Sequence, residues 1–183
     1  MPISQPFPGF STPAAGAEAP LEMLATCHDR AGRQCATLNR LVPHLAATGS
    51  DDQARTAATN VMRYFDVSAR DHHADEEEDL FPALLESMAG SDAVCIRDWT
   101  GALTADHRAH EAMWQSLRDV LVRVEAGEAA LLDAALVAAF TTEYARHIER
   151  EEGELLPMAA RLLGDAQLEQ IGRAMRARRG ISG

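Results

Sequence analysis

The sequence predicts an all-α fold, an up-down-up-down four-helix bundle with a short extra C-terminal helix. Three observations predict it. Apolar residues recur at three- and four-residue spacing along four long segments. The breaks between segments are short and carry glycine, aspartate or serine, which stop or cap helices. Ala, Leu, Arg and Glu are abundant, only 5% of residues are aromatic, and runs of Val, Ile, Thr and Tyr typical of strands are missing. A chain of 183 residues is long enough to bury a core as one domain.

Residues 1–19 contain Pro2, Pro6, Pro8 and Pro13 among Gly, Ser and Ala, and read as a flexible arm ahead of a domain spanning 20–183. The first helix starts at Pro20, since proline suits a first helical position. Its stripe is Leu21, Leu24, Cys27/His28, Ala31, Cys35, Leu38 and Leu41/Val42; Pro43 can kink its end and Gly49 stops it. Asp51 or Asp52 caps the second helix, whose stripe runs Ala58, Val61, Met62, Phe65, Ala69, His72 and Glu76. Pro82 is expected to end or bend it, with Gly90 closing a short turn. Ser91 or Asp92 caps a third helix carrying Ile96, Trp99, Leu103, His107, Met113/Trp114, Leu117 and Leu121, ending near Gly127. A fourth runs from about Ala130 through Leu136, Phe140, Tyr144, His147 and Glu151 toward Gly153. A short fifth covers roughly Asp165 to Arg178.

The net charge of −11 disfavours nucleic acid and anionic membranes as main partners. No apolar run approaches the ~20 residues that span a bilayer. Cys27, Cys35 and Cys95 form neither an even framework nor a CxxC pair. With no basic-then-apolar leader at the start, they point to a reducing, cytoplasmic setting. Arg173, Arg176, Arg178 and Arg179 on one short segment can touch something acidic, but read first as a solvated helix end complementing the helix dipole.

The chemistry lies in an internal repeat. The second helix matches the fourth without a gap at an offset of 75 (147 minus 72). Phe65 aligns with Phe140, His72 with His147, Glu76/Glu77 with Glu151/Glu152, Leu80 with Leu155 and Pro82 with Pro157. Four residues along a helix turn through about 400° and rise about 6 Å, so His72 and Glu76 share a face, as do His147 and Glu151. The phenylalanine seven residues before each histidine puts that face toward the core. Burying two imidazoles and two carboxylates is costly unless a cation pairs with them, and divalent metals accept both donor types. His28 and His107 continue the inward stripes of helices one and three. Each half therefore reads His, then HxxxE. Four histidines and two glutamates under-fill two six-coordinate ions, so bridging carboxylate and solvent-derived oxygen would complete the shells and leave room for a small ligand.

At these residues the chain resembles the hemerythrin-like, HHE cation-binding family. The segments that carry the resemblance are CHDR around His28, HHADEEEDLFP from His72, DHRAHEAMW around His107 and HIEREEGELLP from His147, within roughly residues 20–178. The resemblance implies a four-helix bundle and a non-haem di-iron centre, two iron ions held by His28, His72, Glu76, His107, His147 and Glu151. It implies binding of O2 or a related small oxidant for sensing, storage or redox protection. The alternatives are enzymatic turnover of peroxide or nitric oxide, or a regulatory module read by a partner. Oxygen-carrying members have HxxxH on the third helix, where this chain has His107 and Glu111. They have aspartate five residues after the last histidine, where this chain has Glu151 four after His147. These departures shift the expectation from carriage toward sensing or redox chemistry.

Several assignments stay open in the sequence. His73 and Glu77 also stand four apart, but His73 aligns with Ile148, so the repeat selects His72/Glu76 and leaves His73 as an extra ligand or its neighbour. Glu111 reads equally well as a seventh ligand or an exposed glutamate, and His110 as a site or surface residue. Glu77, Glu78, Asp79, Glu152 and Glu154 read as mostly solvated acidic faces. The same ligands would also accept manganese or zinc.

Overall fold

A computed structural model describes residues 20–88 and 92–181. The N-terminal arm, Gly90 and Ser91 lie outside the described residues. Five helices follow in order: α1 (Pro20–Thr48), α2 (52–87), α3 (Asp92–Glu125), α4 (134–162) and α5 (Asp165–Arg178). The expected all-α bundle is present. α1 neighbours α2 and α4, and α3 neighbours α2 and α4, closing a four-membered ring, with α5 laid against α1 and α2.

The helix ends follow from local chemistry. Gly49 and Gly127 terminate α1 and α3 with φ of 72° and 77°, a left-handed conformation that glycine adopts without a Cβ clash. Asp51 caps α2 by accepting a hydrogen bond from the Ala54 N–H at 2.8 Å. α4 begins at Ala134, four residues later than the apolar pattern implies. Ala130 and Leu132 are buried in the connecting loop, and Asp133 supplies the cap, accepting from the N–H groups of Ala135 and Leu136.

Helices α2 and α4 are not uniform. The Phe81 N–H bonds back five residues to the Glu76 carbonyl, and the Leu156 N–H bonds back five to the Glu151 carbonyl. These wide π turns repeat at the sequence offset (151 minus 76 is 75). They also explain why Pro82 does not end α2, which runs on to Ser87, and why α4 passes Gly153 and Pro157 to reach Leu162. A wide turn displaces the carbonyl against which a helical proline ring would otherwise clash. A third π turn, closed by the Ala69 N–H on the Tyr64 carbonyl, occurs in α2 alone.

Two apolar cores fill the bundle. One contains Leu38, Leu45, Val61, Phe65, Leu117, Leu121 and Phe140. The other contains Leu24, Leu80, Leu84, Leu103, Leu155, Ile171 and Met175, the last two from α5. Along every helix of the ring, the histidines and glutamates fall between residues of the first core and residues of the second. The polar layer is thus enclosed by apolar packing above and below.

Candidate metal centre

The structure brings His28, His72, Glu76, His107, His147 and Glu151 into one buried layer, drawn from all four bundle helices. Their donor atoms form two clusters. His28 and His72 make one with Glu76 and Glu151; His107 and His147 make the other with the same two glutamates. Within each cluster the donor atoms lie within 4.8 Å of one another.

Each carboxylate sends one oxygen to each histidine pair. Glu76 Oε1 is 3.7 Å from His72 Nε2, and its Oε2 is 3.3 Å from His107 Nε2. Glu151 Oε2 is 3.1 Å from His28 Nε2, and its Oε1 is 2.8 Å from His147 Nε2. Both glutamates are 0% exposed, and none of their four carboxylate oxygens has a hydrogen bond of proper geometry among the described residues. Orphaned carboxylate oxygens in a dry core are costly, and a bound cation removes that cost.

The imidazoles fit the same reading. His28 Nε2 and His72 Nε2 are 3.1 Å apart, and His107 Nε2 and His147 Nε2 are 3.0 Å apart. Two nitrogens held ~2.1 Å from one ion at a right angle stand ~3.0 Å apart. The outer nitrogens fix the tautomer. His28 Nδ1 donates to Glu152 at 3.2 Å, His107 Nδ1 to Glu77 at 2.8 Å, and His147 Nδ1 to Asp106 at 3.4 Å. With the proton on Nδ1, the lone pair of each Nε2 faces inward as a metal ligand requires.

Glu77 is mostly covered, unlike the solvated face read in the sequence, whereas Glu152 is exposed as expected yet still reaches His28. They are equivalent in the repeat, and each supports the single histidine of the opposite half. Successive side chains on an α-helix diverge by ~100°. The π turns closed on the Glu76 and Glu151 carbonyls contain these glutamates and reduce that divergence, so a residue beside an inward glutamate also reaches the layer. Only the wide turn makes EE a ligand-and-support pair, and nothing in the residue types announces it. Replacing Glu77 with Ala is expected to weaken metal binding ~10–100-fold while leaving the donor set intact, measured by competition with a graded chelator series. Unchanged affinity would mean that Glu77 is a surface residue after all.

Protonation is strongly biased in this layer. Burial lowers His107, but the carboxylates of Glu151, Glu76 and Glu77 close to its two ring nitrogens outweigh it and push the imidazole up to about 10. His28 is raised on the same balance, against burial, by Glu151, Glu76 and Glu152. Burial and the neighbouring His28 drive His72 down to about 3. Burial and then Glu151 push Glu76 up to about 8, whereas Glu151, despite its burial, is held well below the usual range by His107, His147 and His28. Three histidines hold the charge on Glu151, and that charge in turn favours a proton on Glu76 in the metal-free layer. The only positive charges these side chains can supply are protons on imidazole, and a divalent ion supplies the same charge without consuming the nitrogen lone pairs.

The residues left open are now placed. His73 lies outside both clusters, its ring stacked on His107 at 3.9 Å between centroids, and the Tyr144 hydroxyl is 3.3 Å from its Nε2. His110 is buried and stacks on Tyr144 at 4.5 Å. Glu111 is exposed and joins neither cluster. Tyr64 donates to the Cys27 carbonyl, away from the donor atoms. Arg178 and Arg179 are not a solvated helix end: both pair with Asp75, which is fully buried beside Glu76.

Among the described residues no helix is long and apolar enough to cross a membrane. An uncharacterized protein of Haemophilus influenzae is 30% identical over 162 residues, covering 88% of this chain and 91% of the relative. The family model for the hemerythrin HHE cation binding domain matches residues 19–159, a span that includes all six clustered residues and both copies of the repeat. The chain belongs to the hemerythrin HHE cation-binding family, and its two buried His/Glu clusters have the make-up of that family's non-haem di-iron site.

Proposed function

We propose that His28, His72, Glu76, His107, His147 and Glu151 are the ligands of two iron ions, and that the protein binds O2 or a related small oxidant for sensing, storage or redox protection. The observation that carries this reading is the pair of fully buried carboxylates, each offering one oxygen to each histidine pair. Such carboxylates suit two ions rather than one. A bound iron pair supplies electrons to a small oxidant. The side chains hold the pair in place, and the apolar cores on either side exclude bulk water. The free thiols of Cys27, Cys35 and Cys95 fit a reducing, cytoplasmic setting.

Protein reduced anaerobically and then exposed to O2 is expected to regain the near-ultraviolet absorption of the ferric pair. A spectrum indifferent to O2, nitric oxide and peroxide would sink the reading. Turnover of peroxide is the second reading, favoured by the Tyr144 hydroxyl against His73, which keeps a proton one ring away from His107. If turnover is the function, Tyr144→Phe lowers peroxide consumption ~10²-fold or more while iron content stays constant. Equal rates in the two proteins would count against it.

A further inference from the structure

The two clusters offer equivalent donors but stand in unequal surroundings. Helices α1 and α3 match in register at an offset of 79 (107 minus 28): Leu24 falls at Leu103, His28 at His107 and Leu38 at Leu117. Together with the 75-residue match of α2 to α4, this gives each position around one histidine pair a counterpart around the other. The groups that receive the outer histidine nitrogens differ between the two.

Beside the His107/His147 pair both outer nitrogens meet a carboxylate. His107 Nδ1 lies 2.8 Å from Glu77, and His147 Nδ1 lies 3.4 Å from Asp106. An arginine holds each of those carboxylates in turn, Arg108 on Glu77 and Arg150 on Asp106 at 2.7 Å. Beside the His28/His72 pair only one outer nitrogen is received. His28 Nδ1 reaches Glu152 at 3.2 Å, but the Glu152 side chain is 48% exposed, against 19% for Glu77, and no arginine holds it among the described residues. His72 Nδ1 is buried and has no partner among the described residues. The register accounts for the gap. Asp106 precedes His107, and the residue that precedes His28 is Cys27 (106 minus 79). Arg150, which holds Asp106, has Asp75 as its counterpart (150 minus 75), and Asp75 is taken up by Arg178 and Arg179.

The difference matters when metal binds. An ion on Nε2 requires the ring proton on Nδ1. At His28, His107 and His147 a carboxylate receives that proton, which also makes the ring a stronger donor. At His72 the proton is left without an acceptor in a dry layer, and an unmet buried N–H is costly. The metal-free His72 ring can instead carry its proton on Nε2, 3.1 Å from His28 Nε2.

We propose that the two halves of the centre bind metal unequally: the His107/His147 half takes the first ion, and the His28/His72 half takes the second about 10–100-fold more weakly and releases it first, because Cys27 stands where the register places the supporting carboxylate Asp106. The inference rests on the two-ion reading and adds to it the order of filling. Asp106 is then a positioning residue that acts through His147. Between the two dissociation constants the chain holds a single ion, so assembly of the pair follows metal supply.

Cobalt(II) titration of the full-length metal-free protein, followed by calorimetry and visible absorption, tests this. Two steps about 10–100-fold apart are expected, with His72→Ala removing the weaker step and His147→Ala the tighter one. Asp106→Ala is expected to lower the tighter step about tenfold or more, toward the weaker. Cys27→Asn gives His72 Nδ1 an acceptor without placing a second carboxylate near Asp75. It is expected to tighten the weaker step about tenfold and to leave the other unchanged. Asp106 is partly exposed, so Asp106→Ala decides the matter even where Cys27→Asn does not fold. Two steps of equal affinity, or an Asp106→Ala protein in which the weaker step falls instead, overturn the inference and leave the two-ion reading standing. A sulfur-to-cobalt charge-transfer band that is lost in Cys27→Ala makes Cys27 a ligand and overturns it too. A chain that takes up no second cobalt at any concentration overturns the two-ion reading itself, and the inference with it.

Discussion

Glu76→Gln is expected to lower iron from two per chain to below one, with affinity down by more than ~100-fold, while the metal-free variant stays folded and is at least as stable as metal-free wild type at neutral pH. Both halves follow from one side chain. Glu76 offers an oxygen to each histidine pair, so its loss affects both ions, whereas a histidine variant affects one. Gln keeps the shape but turns an acceptor into a donor that faces imidazole lone pairs. Because the Glu76 carboxyl is pushed up to about 8, it is mostly protonated near neutral pH in the metal-free protein, and the amide imitates it. The sign of the pH dependence follows. A folded pKa above the unfolded one contributes stability that is complete below the unfolded value and lost as pH rises through the folded one. Metal-free wild type should therefore lose stability relative to Glu76→Gln as pH rises from about 4.5 through about 8. Added metal at ~1,000 times its dissociation constant stabilises wild type by ~4 kcal/mol, or ~10 °C in melting temperature, and the variant by less than ~1.5 kcal/mol. Calorimetry with and without metal checks this. A variant that keeps two irons, or one that unfolds without them, would contradict the bridging geometry.

Arg178→Ala combined with Arg179→Ala is expected to cost ~3–5 kcal/mol. Arg178 pairs with Asp75, Glu78 and Asp79, and Arg179 Nη1 reaches Asp75 at 3.1 Å. Asp75 is wholly buried, and burial raises its carboxyl pKa against the pull of both guanidinium groups. Without them a charge is stranded in the core, or the carboxyl takes a proton; either way α5 loses its anchor on α2. Asp75→Asn in the double-alanine background should recover part of the loss, since the stranded charge goes too. Arg173→Ala, which breaks only an exposed pair with Glu169, should change stability by less than ~1 kcal/mol. Chemical denaturation of the four proteins decides. A double variant as stable as Arg173→Ala would show that α5 is held by its apolar face alone.

The donor layer was legible because its signal is periodic and doubled. His72 and Glu76 repeat at His147 and Glu151, and His28 and His107 fall on stripes whose neighbours are unmistakably apolar. Residues whose partners depend on an irregular turn or a distant segment were not. Glu77 and Glu152 look like surface charge on a regular helix and become supports only where the helix widens. Arg179 and Asp75 are 104 residues apart, and no local pattern links them. Asp133 was hidden because the buried loop residues Ala130 and Leu132 extend the apolar pattern backward past the true cap. Phe65, Trp114 and Phe140 lie on the apolar stripes, and the structure packs their rings on one another in the first core.

The central claim is that two ions share Glu76 and Glu151. It is tested most directly by the metal content of the full-length protein, purified from iron-replete cells without chelators or added metal and measured by elemental mass spectrometry. Two irons per chain are predicted. A metal-free protein, or one that saturates at a single ion per chain, would contradict it.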